Sequence, residues 1–246
     1  MSAETTESQI ATAVAENLAA VRGRIEDACR SAGRPVGDVR LVAVTKYARW
    51  NWVQALVAAG QTDLGENRPQ QMAERARKAG ELASPVAWHL IGQLQRNKAK
   101  LAIEHATLVH AVDSLRLAER LSRLAAERET TVKILLEVNV SREENKNGFA
   151  AVELKGRWKD LLSLPAIEPV GLMTMAPIVD DPADARPVFA DLRELRDDLA
   201  STERPLPELS MGMSGDFEAG IAEGATIVRI GSALFEGVAE LDPEAD

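Results

Sequence analysis

Lys46 follows five residues, Leu41-Val42-Ala43-Val44-Thr45, that are short, partly β-branched and nearly all apolar. Such a run is a strand buried on both faces, so a lysine at its end stands at the rim of a low-dielectric interior. Partial desolvation favours the neutral amine, the form that attacks a carbonyl carbon. Taken alone, Lys46 reads more simply as a solvated lysine at a strand end. Two other segments change the weighting. Met211-Gly212-Met213-Ser214-Gly215-Asp216 combines two glycines with a hydroxyl and runs into a helical stretch at Phe217. There Ser214 can sit near the helix N-cap, where backbone N–H groups and the helix dipole favour an anion. Ile230-Gly231-Ser232 offers a second set of N–H groups, with a glycine that lets the chain approach closely. Singly, Ser214 is explained as a helix cap and Gly231 as a packing glycine. Brought together beside a lysine, they form a phosphate anchor next to a carbonyl-reactive amine.

The elements that must bring them together are legible as an alternation. A helix over Ile10–Ala32, with apolar residues at helical spacing, precedes the strand at Leu41–Thr45. Seven more strands are predicted at Thr62–Glu66, Ala87–Ile91, Thr107–Val112, Val132–Val140, Glu168–Met173, Glu208–Ser210 and Thr226–Ile230. Helices are predicted between them, at Trp52–Ala59, Pro69–Lys78, Arg96–Ile103, Ser114–Arg128, Ala151–Ser163, Ala183–Ala200 and Phe217–Glu223. Strand–helix alternation means a parallel sheet. Eight units in 246 residues match a (β/α)8 TIM-type barrel of the α/β class, here with an extra N-terminal helix. A doubly wound open sheet is the rival. No linker composition interrupts the chain, so residues 1–246 read as one domain. The longest loops, Ser141–Gly148 and Ala176–Pro182, follow strands, on the side where barrel enzymes work. In a barrel the loops after strands seven and eight bind phosphate, and strand one closes next to strand eight. A phosphate anchor beside Lys46 is then what pyridoxal 5′-phosphate (PLP) requires. A sugar-phosphate barrel enzyme whose Lys46 attacks the substrate carbonyl meets the same description.

Several motifs carry a resemblance. Val42-Ala43-Val44-Thr45-Lys46, Gly65-Glu66-Asn67-Arg68, Trp88-His89-Leu90-Ile91-Gly92, Gly171-Leu172-Met173-Thr174-Met175, Leu209-Ser210-Met211-Gly212-Met213-Ser214 and Val228-Arg229-Ile230-Gly231-Ser232 resemble the successive motifs of the pyridoxal phosphate homeostasis proteins. These are single-domain PLP-binding barrels similar to the N-terminal domain of alanine racemase. The resemblance runs from about Leu41 to Gly237. It implies that Lys46 carries PLP as a Schiff base, that Ser214, Gly231 and Ser232 hold the phosphate, and that Arg229 faces the pyridine nitrogen. It implies further that Asn67, His89, Asn139 and Met213 line the pocket. The function it implies is cytoplasmic vitamin B6 homeostasis: holding PLP reversibly and delivering it, with apo forms of PLP-dependent enzymes as partners and a monomer or weak dimer as the working unit.

The alternative is a catalytic amino-acid racemase. A guanidinium cannot give the pyridine nitrogen a proton, so Arg229 would leave the ring a weak electron sink. Racemases compensate with a tyrosine from a C-terminal β domain. Here fourteen residues follow Ser232, the one tyrosine is Tyr47 beside the lysine, and Asn51 stands where alanine racemase has a phosphate-touching tyrosine. These departures argue for binding over catalysis.

Composition narrows the rest. The chain is 46% apolar, with 29 basic against 38 acidic residues, a net charge of −9. That balance argues against a general nucleic-acid or membrane-surface binder. A single cysteine, Cys29, excludes an intramolecular disulfide and a Cys-rich metal site and suits a reducing cytosol. The first residues lack a secretory signal, and no run spans a membrane. Gly212-Met213-Ser214-Gly215-Asp216 falls one glycine short of a nucleophile elbow, and no histidine follows it. His105 and His110 lack a third metal ligand. Glu143-Glu144, Asp180-Asp181 and the basic run Gln95–Lys100 read as solvated charge, and Trp50 and Trp52 as packing residues.

Overall fold

The computed structural model describes residues 3–141, 143 and 147–242. Eight parallel strands close into a barrel in sequence order. They are β1 (Arg40–Val44), β2 (Asp63–Glu66), β3 (Ala87–Leu90), β4 (Leu108–Val112), β5 (Val132–Glu137), β6 (Ile167–Met173), β7 (Glu208–Ser210) and β8 (Ile227–Ile230). All eight predicted strands are present, each within a few residues of its expected bounds. Closure is made by β1 against β8, with Val42 opposite Arg229 and Ala43 opposite Ile230. This pairing rules out the open sheet.

The outer layer begins with α1 (Ala3–Ser31), longer at its start than the predicted helix. It continues with α2 (Trp50–Ala58), α3 (Pro69–Arg77), α4 (Ala99–His105), α5 (Leu115–Ala126), α6 (Ala151–Ser163), α7 (Arg186–Leu199) and α8 (Phe217–Ala222). A short α9 (Val238–Leu241) and a 3-10 turn, Ser232–Leu234, follow β8, where no helix was predicted. Two predicted helices start as 3-10 turns, at Arg96–Lys98 and Pro182–Ala185. In the second, the Asp181 carboxylate accepts the Ala183 N–H, so Asp181 is a cap rather than a free surface charge. Strand five stops at Glu137, not Val140. Glu137 meets Met173, the last residue of its partner, and Val138 bridges instead to Phe149.

Two apolar layers result. The larger lies between barrel and helices and includes Ile10, Val14, Leu18, Val21, Ile25 and Cys29 of α1. Burial pushes the Cys29 thiol pKa up, which suppresses its reactivity. The smaller joins Val42, Leu108, Ala111, Leu135, Met173 and Ile227. These come from strands on opposite sides of the sheet, so they meet only across the barrel interior. α1 straps the seam: Asn17 Nδ2 donates to the carbonyls of Leu234 and Glu236 at 3.3 and 3.0 Å.

One contact in the wall permits no side chain. A Cβ on Gly171 would lie 1.9 Å from the carbonyl oxygen of Glu208 on the neighbouring strand. Gly171→Ala is therefore expected to cost roughly 3 kcal/mol, the upper range of overpacking, and to lower Tm by about 5 °C or more. Thermal unfolding of the two proteins measures it; an unchanged Tm would show that β6 and β7 can part without penalty.

Candidate functional site

A cavity of about 740 Å3 opens at the C-terminal ends of the strands. Lys46, Asn67, Met213, Ser214, Arg229, Gly231 and Ser232 all border it, together with Glu137 and Trp52. Seven of the nine predicted site residues therefore meet in one place.

The lysine sits on a held segment. Ala48 N–H closes a turn onto the Thr45 carbonyl. Arg75 of α3 donates to the carbonyls of Thr45 and Ala48 at 2.9 and 2.6 Å, and Gln71 of α3 donates to the Lys46 carbonyl at 3.1 Å. Arg75 is itself paired with Glu66, whose Oε1 also accepts the Thr45 hydroxyl. Glu66 is fully buried, its Oε2 has no partner, and burial raises its pKa despite Arg75. The backbone on either side of Lys46 is thus held from α3, outside the barrel. Its Nζ lies 5.0 Å from the centre of the Tyr47 ring. Sequence reasoning quoted Glu66 in a motif without giving it a role, and missed Gln71 and Arg75.

Opposite stands the anion-shaped corner. Gly231 N–H donates to Ser214 Oγ at 3.3 Å, so the loops after β7 and β8 touch through these two groups. Ser214 does not cap α8. Asp216 occupies the N-cap and accepts the Met213 N–H, which leaves the Ser214 proton available to a ligand. Gly231 is needed for close approach, since an added Cβ would lie 3.2 Å from Val44 Cβ.

Arg229 forms the floor. It is 4% exposed. Its Nη1 donates to Ser210 O and Oγ at 2.7 and 2.5 Å, and its Nη2 to Thr174 O at 2.9 Å. Among the described residues, two of its five N–H donors, including Nε–H, find no protein acceptor, and Arg229 borders the cavity. Burial lowers its pKa to about 10, with Asp216 and Glu137 opposing, so it stays charged at neutral pH.

His89 and Asn139 do not line the cavity as expected. His89 is buried one layer below, and both its ring nitrogens are used within the barrel, against His110 and Asp63. Asn139 lies beyond the end of β5, where its Nδ2 donates to the Glu143 carbonyl. Glu144 and three other residues of the following loop lie outside the described residues. Trp52 borders the cavity and donates Nε1–H to Asp242, while Trp50 donates to Glu81, so Trp52 is more than packing. Arg96 and Asn97 lie away from the cavity, beside Arg116 and Arg120 of α5.

Glu137 was not anticipated. It is 5% exposed at the end of β5 and borders the cavity. Burial first, and then the charge of Asp113, raise its pKa to about 7, while Arg229 pulls the other way. The native state therefore keeps a proton between 4.5 and about 7 that the unfolded chain has released. Stability contributed by this group is full below the ordinary value and is lost as pH rises through 7. Glu137→Gln should match the ligand-free parent near about pH 5 and exceed it by roughly 2 kcal/mol near about pH 8. Denaturant unfolding at both pH values decides; a gap that does not widen with pH would remove the assignment.

The family described as "Alanine racemase, N-terminal domain" matches residues 16–238. A "Pyridoxal phosphate homeostasis protein" of Pseudomonas aeruginosa is 43% identical over 223 residues, covering 90% of this chain and 94% of that one. Its counterpart in Aquifex aeolicus is 40% identical over 221 residues, covering 89% and 96%. The structure of PipY from Synechococcus elongatus with PLP bound superposes with TM-score 0.78 at 35% identity, covering 90% of this chain and 99% of that one. Alanine racemase of Clostridium difficile shares the fold alone, with TM-score 0.68 at 15% identity over 55% of its length.

Proposed function

The chain belongs to the alanine racemase N-terminal domain family, and on that premise we propose that it binds PLP, holds it as a reversible Schiff base on Lys46 and acts in vitamin B6 homeostasis. The observation that carries this reading is the shared cavity of Lys46, the Ser214–Gly231 corner and the two spare donors of Arg229. The donor set fits the cofactor on its own chemistry. The corner offers a hydroxyl proton and backbone N–H groups to a phosphate. The Arg229 fork offers N–H to a ring nitrogen and no proton to give away. Bound there, the cofactor supplies an aldehyde that condenses reversibly with a primary amine and releases water.

The residues divide the work. Arg75 and Gln71 hold the Lys46 backbone so that its amine reaches the cavity without loop motion. Asn67 and Met213 shape the walls. Arg229, charged and immobilised, keeps the ring nitrogen unprotonated, which favours holding over carbanion chemistry. Relatives bearing the homeostasis name support a non-catalytic role. We place the protein in the cytoplasm, passing PLP to apo forms of PLP-dependent enzymes. The single buried thiol suits a reducing compartment.

Two experiments test this. Borohydride reduction of the PLP-loaded protein followed by peptide mapping should place the pyridoxyl group on the Lys46 peptide, and Lys46→Ala should lose the label while keeping its Tm. A label chiefly on another lysine would overturn the attachment. Sustained Lys46-dependent racemisation at about 1 s⁻¹ or faster would replace the holding role with the racemase. Separately, Ser214→Ala should weaken PLP binding about tenfold or more, the scale of a hydrogen bond to a charged group. Pyridoxal should be unaffected. Equal losses for both ligands would show that Ser214 does not read the phosphate.

A further inference from the structure

The barrel interior contains a file of polar groups that the cavity does not use. Asp63, the first residue of β2, lies at the N-terminal end of the barrel with its side chain 29% exposed. Its Oδ1 is 3.0 Å from His89 Nε2. His89 Nδ1 is 2.9 Å from His110 Nε2, and His110 Nδ1 is 2.9 Å from Ser210 Oγ. Ser210 Oγ accepts from Arg229 Nη1 at 2.5 Å. Since β4 and β7 are three strands apart, the His110–Ser210 bond crosses the barrel. The file thus joins one face of the molecule to the arginine at the other.

We infer that these groups form a single directed hydrogen-bond chain and that Asp63 is a remote positioning residue for Arg229. The direction follows from the Asp63 end, with one proton on each ring. A carboxylate only accepts, so His89 Nε2 carries the hydrogen. With one proton on that ring, Nδ1 accepts, which requires the hydrogen of His110 on Nε2. His110 in turn accepts at Nδ1, so the Ser210 hydroxyl donates to it. Ser210 is left with lone pairs for Arg229, and arginine only donates. The arginine end is compatible with this order, and nowhere do two donors face each other. A second proton on either ring would break that order. Burial first, and then the charges of Arg229 and Arg40, hold His110 well below its ordinary value, which keeps it neutral. The chain explains why His89 and His110 stand inside strands that are otherwise apolar, and why Ser210 is buried at the end of β7. It fixes the rotor of Ser210 and, through it, one arm of the guanidinium.

The tautomers are directly observable. The chain has three histidines, His89, His105 and His110, so long-range 1H–15N spectra of the ligand-free protein at neutral pH can be assigned ring by ring. Both His89 and His110 should be Nε2–H tautomers. Finding either as Nδ1–H, or doubly protonated, would overturn the chain even if no variant folds. Asp63→Ala removes the acceptor, and both rings should become tautomer mixtures. Asp63→Asn still offers an oxygen to His89 Nε2–H and should restore the order without the charge. Unchanged tautomers in Asp63→Ala would show that Asp63 does not set the direction.

The positioning role rests on the PLP reading, and its readout is separate. Asp63→Ala should weaken PLP binding about threefold or more, the scale of one net hydrogen bond, and shift the absorbance of the bound cofactor. Asp63→Asn should stay near the parent on both counts. If the tautomers scramble while affinity and absorbance hold, Asp63 does not position Arg229. Should the parent bind no PLP, the spectra of the ligand-free protein still decide the chain, and only the ligand reading fails.

Discussion

A guanidinium enclosed in a closed sheet is costly unless every part of it is answered. Much of this barrel is arranged around Arg229. The carbonyl of Ser210, the last residue of β7, accepts both the Thr174 N–H and Arg229, and that of Thr174, one residue past β6, accepts Arg229 as well. Two carboxyl groups, Asp216 and Glu137, oppose its desolvation from the rim. A cation that must be held this tightly also cannot wander, so a ligand approaching the cavity meets a fixed pair of donors rather than a flexible arm. Replacing a loose surface charge with a rigid buried one reduces what is lost on binding, because little ordering remains to be done.

Charge distribution takes on meaning in this light. The chain carries a net charge of −9, yet the cavity is bordered by Lys46 and Arg229 and by backbone N–H groups. Repulsion from the acidic exterior acts over distances that salt screens within about 10 Å, whereas the cavity acts on a ligand already in contact. Overall acidity is therefore compatible with an anion site, and it disfavours long polyanions that would have to lie along the remaining surface.

The parallel strands were legible because burial on both faces writes them as continuous apolar runs, and the motifs at their ends stand out against that background. The Lys46, Ser214 and Gly231 segments were found in this way. What escaped was whatever depends on partners brought near only by closure. His110 sits in Leu108-Val109-His110-Ala111-Val112, and its partners are 21 and 100 residues away in sequence; no local spacing announces them. Glu137 ends a strand without a neighbouring motif. His89 was noticed as part of a motif, but in so short a strand the pattern does not reveal whether a side chain reaches the cavity or the layer below. Asn139 enters the pocket set through the resemblance, while in the structure it lies two residues past the end of β5. Arg75 and Gln71 read as ordinary polar positions on α3, since their acceptors are backbone carbonyls, which every residue carries alike.

Closure of β1 against β8 also has a consequence in time. Translation delivers about 5–20 residues per second, so Leu41–Val44 leaves the ribosome roughly 10–40 s before the strand that pairs with Arg40–Ala43 exists. Throughout that interval one edge of β1 is open, and α1 has lost part of the surface it straps. An unpaired apolar edge is a template for a wrong neighbour. Nascent chains are thus most exposed to misassociation just before the last tenth of the sequence appears, and conditions that slow elongation late in the message lengthen that exposure without altering the finished protein.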